Sequence, residues 1–117
     1  MRFYLTQDQQ LVMSAAELAC QGLAELVPCS TEAALEKHVP VLAEAGGVCT
    51  VKVGSVAHPM TEPHFIGWVL LETSLGWHKA DLDPLGKPEA AFALQPGEKV
   101  VAAYAWCNLH GLWKAAA

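Results

Sequence analysis

Five side chains of two chemical types stand out for what they could hold between them. Cys107 and His110 lie three positions apart in CNLHGLWK, His38 follows Glu36 and Lys37 in EKHVPV, and His58 and His64 fall in VGSVAHPMTEPHF. Four imidazoles and one thiolate could fill five positions around a single transition metal and leave a sixth open. Structural zinc sites close at four ligands and are usually thiolate-rich, so this is not a zinc-finger set. Imidazole binds iron well and thiolate donates electron density to it, which points to a redox site.

Taken singly, each residue has a plainer explanation. A lone buried cysteine is usually a small hydrophobe, a lone histidine a hydrogen-bonded core residue, and His38 beside two charged neighbours reads as surface. Cys-x-x-His is a common ligand spacing but weak as a single pair. Their joint presence shifts the balance. Pro59 follows His58 and Pro63 precedes His64, so both imidazoles sit on a stiffened loop that loses little entropy on binding a metal.

The elements that must position these residues read as short strands from residue 38 onward. Val48–Val53 alternates, with Cys49, Val51 and Val53 on one face, and Gly46-Gly47 would turn the chain back onto Val39–Glu44. Phe65–Glu72 is apolar on both faces, which suits a central strand or a subunit interface. Pro88–Leu94 and Lys99–Trp106 are further strands, joined by the turn signal Gln95-Pro96-Gly97-Glu98. Closely spaced strands separated by turns favour an all-β antiparallel sandwich over an α/β fold. Residues 14–27, rich in alanine and leucine, have helical propensity and are expected to form a helix.

Composition narrows the classes. At 117 residues the chain is one domain with room for a short appended segment. With 53% hydrophobic and 16% charged residues, it builds a packed core. No apolar run approaches the roughly 18–20 residues that would span a bilayer. No secretory signal opens the chain, so a cytoplasmic location is expected. A net charge of −5 without any Lys/Arg cluster disfavours a nucleic-acid or anionic-membrane partner. Four irregularly spaced cysteines are too few for a disulfide scaffold. Cys49 faces the strand core and is expected to be structural.

EKHVPV, VKVGSVAHPMTEPHFIGW, PEAAFAL and CNLHGLWK resemble, in order and spacing, the iron domain of the superoxide reductases, the neelaredoxin and desulfoferrodoxin family. The resemblance covers about residues 30–114. It implies an immunoglobulin-like, seven-stranded antiparallel β-sandwich over residues 31–117. It also implies one iron ion per chain, with His38, His58, His64 and His110 in a plane around it and Cys107 as the axial thiolate. Glu36 would close onto the ferric iron, and Lys37 would supply the positive charge that draws in superoxide. The implied activity is one-electron reduction of superoxide to hydrogen peroxide, with a rubredoxin-like protein as electron donor. A non-catalytic iron- or zinc-binding module, an electron carrier and a weak superoxide dismutase are the alternatives.

Some members of the family carry an N-terminal module whose iron is held by four cysteines. Here Phe3–Val12 stands where the first cysteine pair would be, and Cys20 and Cys29 are the only thiols in the region. Residues 1–30 therefore resemble the metal-free remnant of a third class, typified by spirochaete neelaredoxins. His78 matches no motif position and is expected to be a surface or packing residue. The two-sided Phe65–Leu71 strand, with Trp77, Trp106 and Trp113, suggests a homodimer or homotetramer, although the same residues would also suit a core.

Overall fold

A computed structural model describes residues 1–117. In chain order the elements are β1 (Arg2–Leu5), β2 (Leu11–Ser14), β3 (Ala24–Leu26), the single-turn helix α1 (Leu35–His38), β4 (Pro40–Ala45), β5 (Val48–Val53), β6 (Ile66–Thr73), β7 (Gly76–Asp81), β8 (Glu89–Ala93), β9 (Val100–Cys107) and β10 (Gly111–Ala116). Seven of these strands form an antiparallel sandwich. One sheet has the order β10-β9-β6-β7 and the other β4-β5-β8.

The β4–β5 hairpin follows the sequence pattern closely. Gly46 and Gly47 take positive φ angles of 58° and 75°, the conformation that a two-residue hairpin turn requires and glycine adopts without strain. Val41 pairs with Lys52 and Glu44 with Cys49. That register sends Cys49, Val51 and Val53 into the core, where they are buried with Val69, Leu71, Phe92, Ala103, Ala105 and Cys107.

β6 is apolar on both faces because both are covered from within the chain. Val69 and Leu71 face the interior of the sandwich. Trp68 and Leu70 face outward and pack with Phe3, Ala102, Tyr104 and Leu112. The outer cover is a third sheet, β2-β1-β3, built by the N-terminal residues, and Phe3 is its buried anchor at 1% exposure. Truncating such a side chain typically costs about 3–5 kcal/mol. Trp113 is buried, and Trp77 and Trp106 pack partly buried against the same outer cluster. The apolar surface that suggested a subunit interface is thus used inside one chain.

The helix expected over residues 14–27 does not form. Those residues finish β2, turn, and enter β3, which pairs with β1 through Phe3–Leu26 and Tyr4–Glu25. The Leu18 N–H donates to the Tyr4 hydroxyl at 2.9 Å, and Gly22 sits at φ +86°. Propensity from alanine and leucine is a weak term. Most of residues 15–25 are exposed, so a helix there would have had no apolar face to bury.

Candidate metal centre

The five sequence-selected residues meet at one end of the sandwich. Cys107 ends β9, fully buried, and pairs with Ile66 on β6 and Gly111 on β10. The tight turn from Cys107 to Gly111, with Gly111 at φ +78°, brings His110 back beside the thiol. Trp113 Nε1–H donates to the His110 carbonyl at 3.1 Å and holds that turn. His38 is the last residue of α1, and its ring lies 5.0 Å, centroid to centroid, from that of Trp113. His58 and His64 come from the loop between β5 and β6, where the His58 N–H donates to the Val53 carbonyl at 2.8 Å.

The seating of α1 depends on a glycine. A Cβ on Gly54 would lie 2.6 Å from the Glu36 carbonyl oxygen and 2.9 Å from that of Val39. No side chain fits there, so α1 packs directly against the 54–56 backbone. The Val56 N–H donates to the Glu36 carbonyl at 2.9 Å across that contact.

The rings are oriented by what their outer nitrogens do. His38 Nδ1–H donates to the Ala34 carbonyl at 2.8 Å, and His58 Nδ1–H to the Pro59 carbonyl at 2.7 Å. A carbonyl can only accept, so in both rings Nε2 is left with its lone pair facing inward. His38 Nε2 lies 3.1 Å from His110 Nδ1. His58 Nε2 lies 3.4 Å from Cys107 Sγ, and His110 Nδ1 lies 3.9 Å from the same sulfur.

One ligand atom each from His38, His64, Cys107 and His110 lie within 4.8 Å of one another. His58 stands outside that tightest group but beside the sulfur. Its ring meets those of His38 and His64 edge-on at 4.7 and 4.5 Å. The decisive atom is His64 Nε2, which is buried and has no hydrogen-bond partner. Buried polar atoms are almost always paired, and nothing in the chain satisfies this one, on a residue grouped with His38, Cys107 and His110. A soft, multivalent cation would, and the donor set of imidazoles with one thiolate suits iron.

The electrostatics agree. Burial pushes the His58 imidazole down to about 4, against the Pro59 carbonyl, which favours the charged form. Burial also lowers His38, with the Ala34 carbonyl opposing, and it lowers His64, where His110 adds to the effect. Those three imidazoles are therefore neutral near pH 7, the state in which they can bind a metal. Burial pushes the Cys107 thiol up, opposed by the backbone N–H groups of Leu109 and His110. A cation would supply the charge that favours the thiolate.

Glu36 and Lys37 are exposed on α1, outside the cluster. Lys37 is nonetheless close enough for its charge to disfavour protonation of His38 and His64. His78, unassigned by motif, lies at the other end of the sandwich against Glu98. Cys49 is buried in the core, and Cys20 and Cys29 are exposed free thiols.

The sequence profile described as Desulfoferrodoxin matches residues 30–116. The chain belongs to the desulfoferrodoxin family. A desulfoferrodoxin from Syntrophotalea carbinolica is 48% identical over 101 residues, which span 85% of this chain and 79% of that relative. The crystal structure of the superoxide reductase from Treponema pallidum superposes with a TM-score of 0.83 at 40% identity, over 97% of this chain and 98% of that one. A superoxide reductase of the one-iron type from Giardia intestinalis is 36% identical, with a TM-score of 0.53, over 68% of this chain and 95% of that one. The Treponema likeness thus extends through the N-terminal sheet.

Two residues beside the cluster support it in ways the sequence did not show. Asn108 joins the Cys107 turn to the His64 loop, and Trp113 braces His110 and His38. The only sequence signal for Asn108 was its place between two candidate ligands.

Proposed function

We propose that the chain is a superoxide reductase, an enzyme that adds one electron and two protons to superoxide and releases hydrogen peroxide. It would hold one iron through His38, His58, His64, His110 and Cys107. The observation that carries this proposal is the convergence of four imidazoles on a buried thiol, with His64 Nε2 left unpartnered. Iron bound there would supply the electron that superoxide takes up. Cys107, as a thiolate, would donate electron density toward it.

The chain's own charges bear on the substrate. At a net charge of −5 the molecule repels an anion at long range, but that field is screened beyond about 8–10 Å in physiological salt. Lys37, exposed on the turn that carries His38, provides local attraction where the distant carboxylates are weak. Glu36, its neighbour, would supply a carboxylate to the iron in its ferric state. Water at the exposed surface around Lys37 would deliver the protons.

The electron must come from outside, and a rubredoxin-like carrier is the proposed donor. Residues 1–30 would act as a metal-free segment whose sheet covers the sandwich, since two thiols cannot build a four-thiolate centre. Any homo-oligomer would use a surface other than the Trp68–Leu70 face, which that sheet occupies. No helix is long and apolar enough to cross a membrane. The cytoplasm is the proposed location, where the four unpaired thiols would stay reduced.

Product accounting with the iron-loaded protein and a measured pulse of superoxide tests the activity. A reductase consumes the electron donor and yields peroxide without dioxygen. Release of dioxygen with peroxide would make it a dismutase, and neither product would leave only a carrier or a binding module.

A further inference from the structure

His64 differs from its neighbours in how it is held. The His38 and His58 rings are each tied by an Nδ1–H bond to a carbonyl on their own segment. The His64 ring has no such tether, and its Nε2 is unpartnered. Its position must therefore come from its backbone. The Thr61–His64 turn closes on itself, Thr61 N–H to the His64 carbonyl at 2.9 Å and His64 N–H to the Thr61 carbonyl at 3.1 Å. Those bonds shape the turn but do not attach it to the sandwich.

Asn108 ties it to the Cys107 turn. Its Oδ1 accepts the Phe65 N–H at 2.9 Å, its Nδ2–H donates to the Pro63 carbonyl at 3.0 Å, and its own N–H donates to the Phe65 carbonyl at 3.2 Å. These bonds grip the residues immediately before and after His64. Asn108 is itself the residue after Cys107 and two before His110. One residue, through two side-chain bonds and one backbone bond, thus ties the proline-stiffened loop to the turn that carries the thiol.

We propose that Asn108 is a positioning residue for the metal centre, acting through His64. It clamps the His64 loop onto the Cys107–His110 turn so that the untethered imidazole meets the other donors. Asparagine fits because both ends of its amide are used, one accepting and one donating. Aspartate would keep the acceptor for Phe65 but set an oxygen against the Pro63 carbonyl. The clamp presupposes that the cluster holds iron.

The test is a double-mutant cycle read by ferrous-iron affinity, measured anaerobically by competition with a chelator. Asn108→Ala should weaken iron binding by about ten- to a hundredfold, the usual cost of losing a group that orients a ligand. In a His64→Ala background the same change should cost less than about twofold, because the residue it acts through is gone. In a His58→Ala background it should keep its full effect. The ferric spectrum of Asn108→Ala should shift as well, which a change in folding stability alone would not produce. Equal losses in both backgrounds, or no loss in the wild-type background, would overturn the assignment. Should Asn108→Ala fail to fold, Asn108→Asp carries the same cycle with the Phe65 contact retained. Wild-type protein that bound no iron would end the metal-centre proposal itself, whereas iron-binding wild type with an indifferent Asn108 would end only the clamp.

Discussion

At one end of β6 and β9 sit four imidazoles and a thiol. Toward the other, roughly 16 Å along β6 at about 3.3 Å per residue, sits the fifth histidine, opposite Leu71. His78 Nε2–H donates to Glu98 at 2.8 Å, and the same buried carboxylate accepts from the Thr73 hydroxyl and, at 2.8 Å, from the Gln95 N–H. There the protein supplies both donors and acceptor, and the polar groups satisfy one another. At the other end the buried His64 Nε2 has no partner at all. A histidine with an internal carboxylate partner is explained by the fold. A buried imidazole nitrogen without a partner needs something that the chain does not provide. Spacing in the sequence does not separate the two kinds of histidine; the partner does.

Replacing the thiolate should produce the largest contrast between the ends. Cys107→Ser should abolish the sulfur-to-iron charge-transfer band of the ferric protein and change its colour. His78→Ala should leave that band where it was. Visible spectroscopy of both variants decides it, and an unchanged band in Cys107→Ser would remove the sulfur from the site.

Acid should undo the two ends in different windows. In the metal-free protein, burial holds His58 near 4, so between about pH 6.5 and 4 the unfolded chain binds a proton that the folded chain refuses. Stability should therefore fall as pH drops through that range, by at most on the order of 3 kcal/mol from this group. Glu98 is held down at about 2, first by the Thr73 hydroxyl and then by the Gln95 N–H and His78. Its contribution is present above about 4.5 and is lost only as pH falls toward 2. Urea unfolding across the acid range should show two declines. His58→Gln should flatten the upper one and Glu98→Gln the lower. A single decline confined to the lower window would contradict the assignment at the metal end.

At neutral pH, Glu98→Gln should lower the melting temperature, because the charge that attracts three donors is lost while the shape is kept. Iron content should not change. Coupled loss of iron would mean that the two ends are not independent. The smallest effect belongs to the surface. Lys37→Ala should slow encounter with superoxide by roughly three- to tenfold at low salt and flatten its ionic-strength dependence, with iron still bound. Stopped-flow at several salt concentrations would show it.

Much of the sandwich was legible because its signals are local. Gly46-Gly47 between alternating runs gives the β4–β5 hairpin, and the two-sided run of β6 gives a central strand. The N-terminal sheet was not, because Phe3 packs on Trp77 and Tyr104 far along the chain while alanine and leucine favour a helix locally. That four imidazoles and a thiol could meet was legible through motif order. What holds them was not: the Gly54 contact with the Glu36 carbonyl, the Asn108 clamp across more than forty residues, and the Glu98 partner of His78, twenty residues away, exist only once strands are paired. Residue types announce what can bind, whereas long-range backbone approach decides what is held still.

The central claim is that one iron is held jointly by the thiolate and the four imidazoles. X-ray absorption at the iron edge of the reconstituted protein tests it most directly. One sulfur and several nitrogen donors per iron, with the sulfur lost in Cys107→Ser, is the predicted result. An iron shell without sulfur, or with more than one, would contradict it.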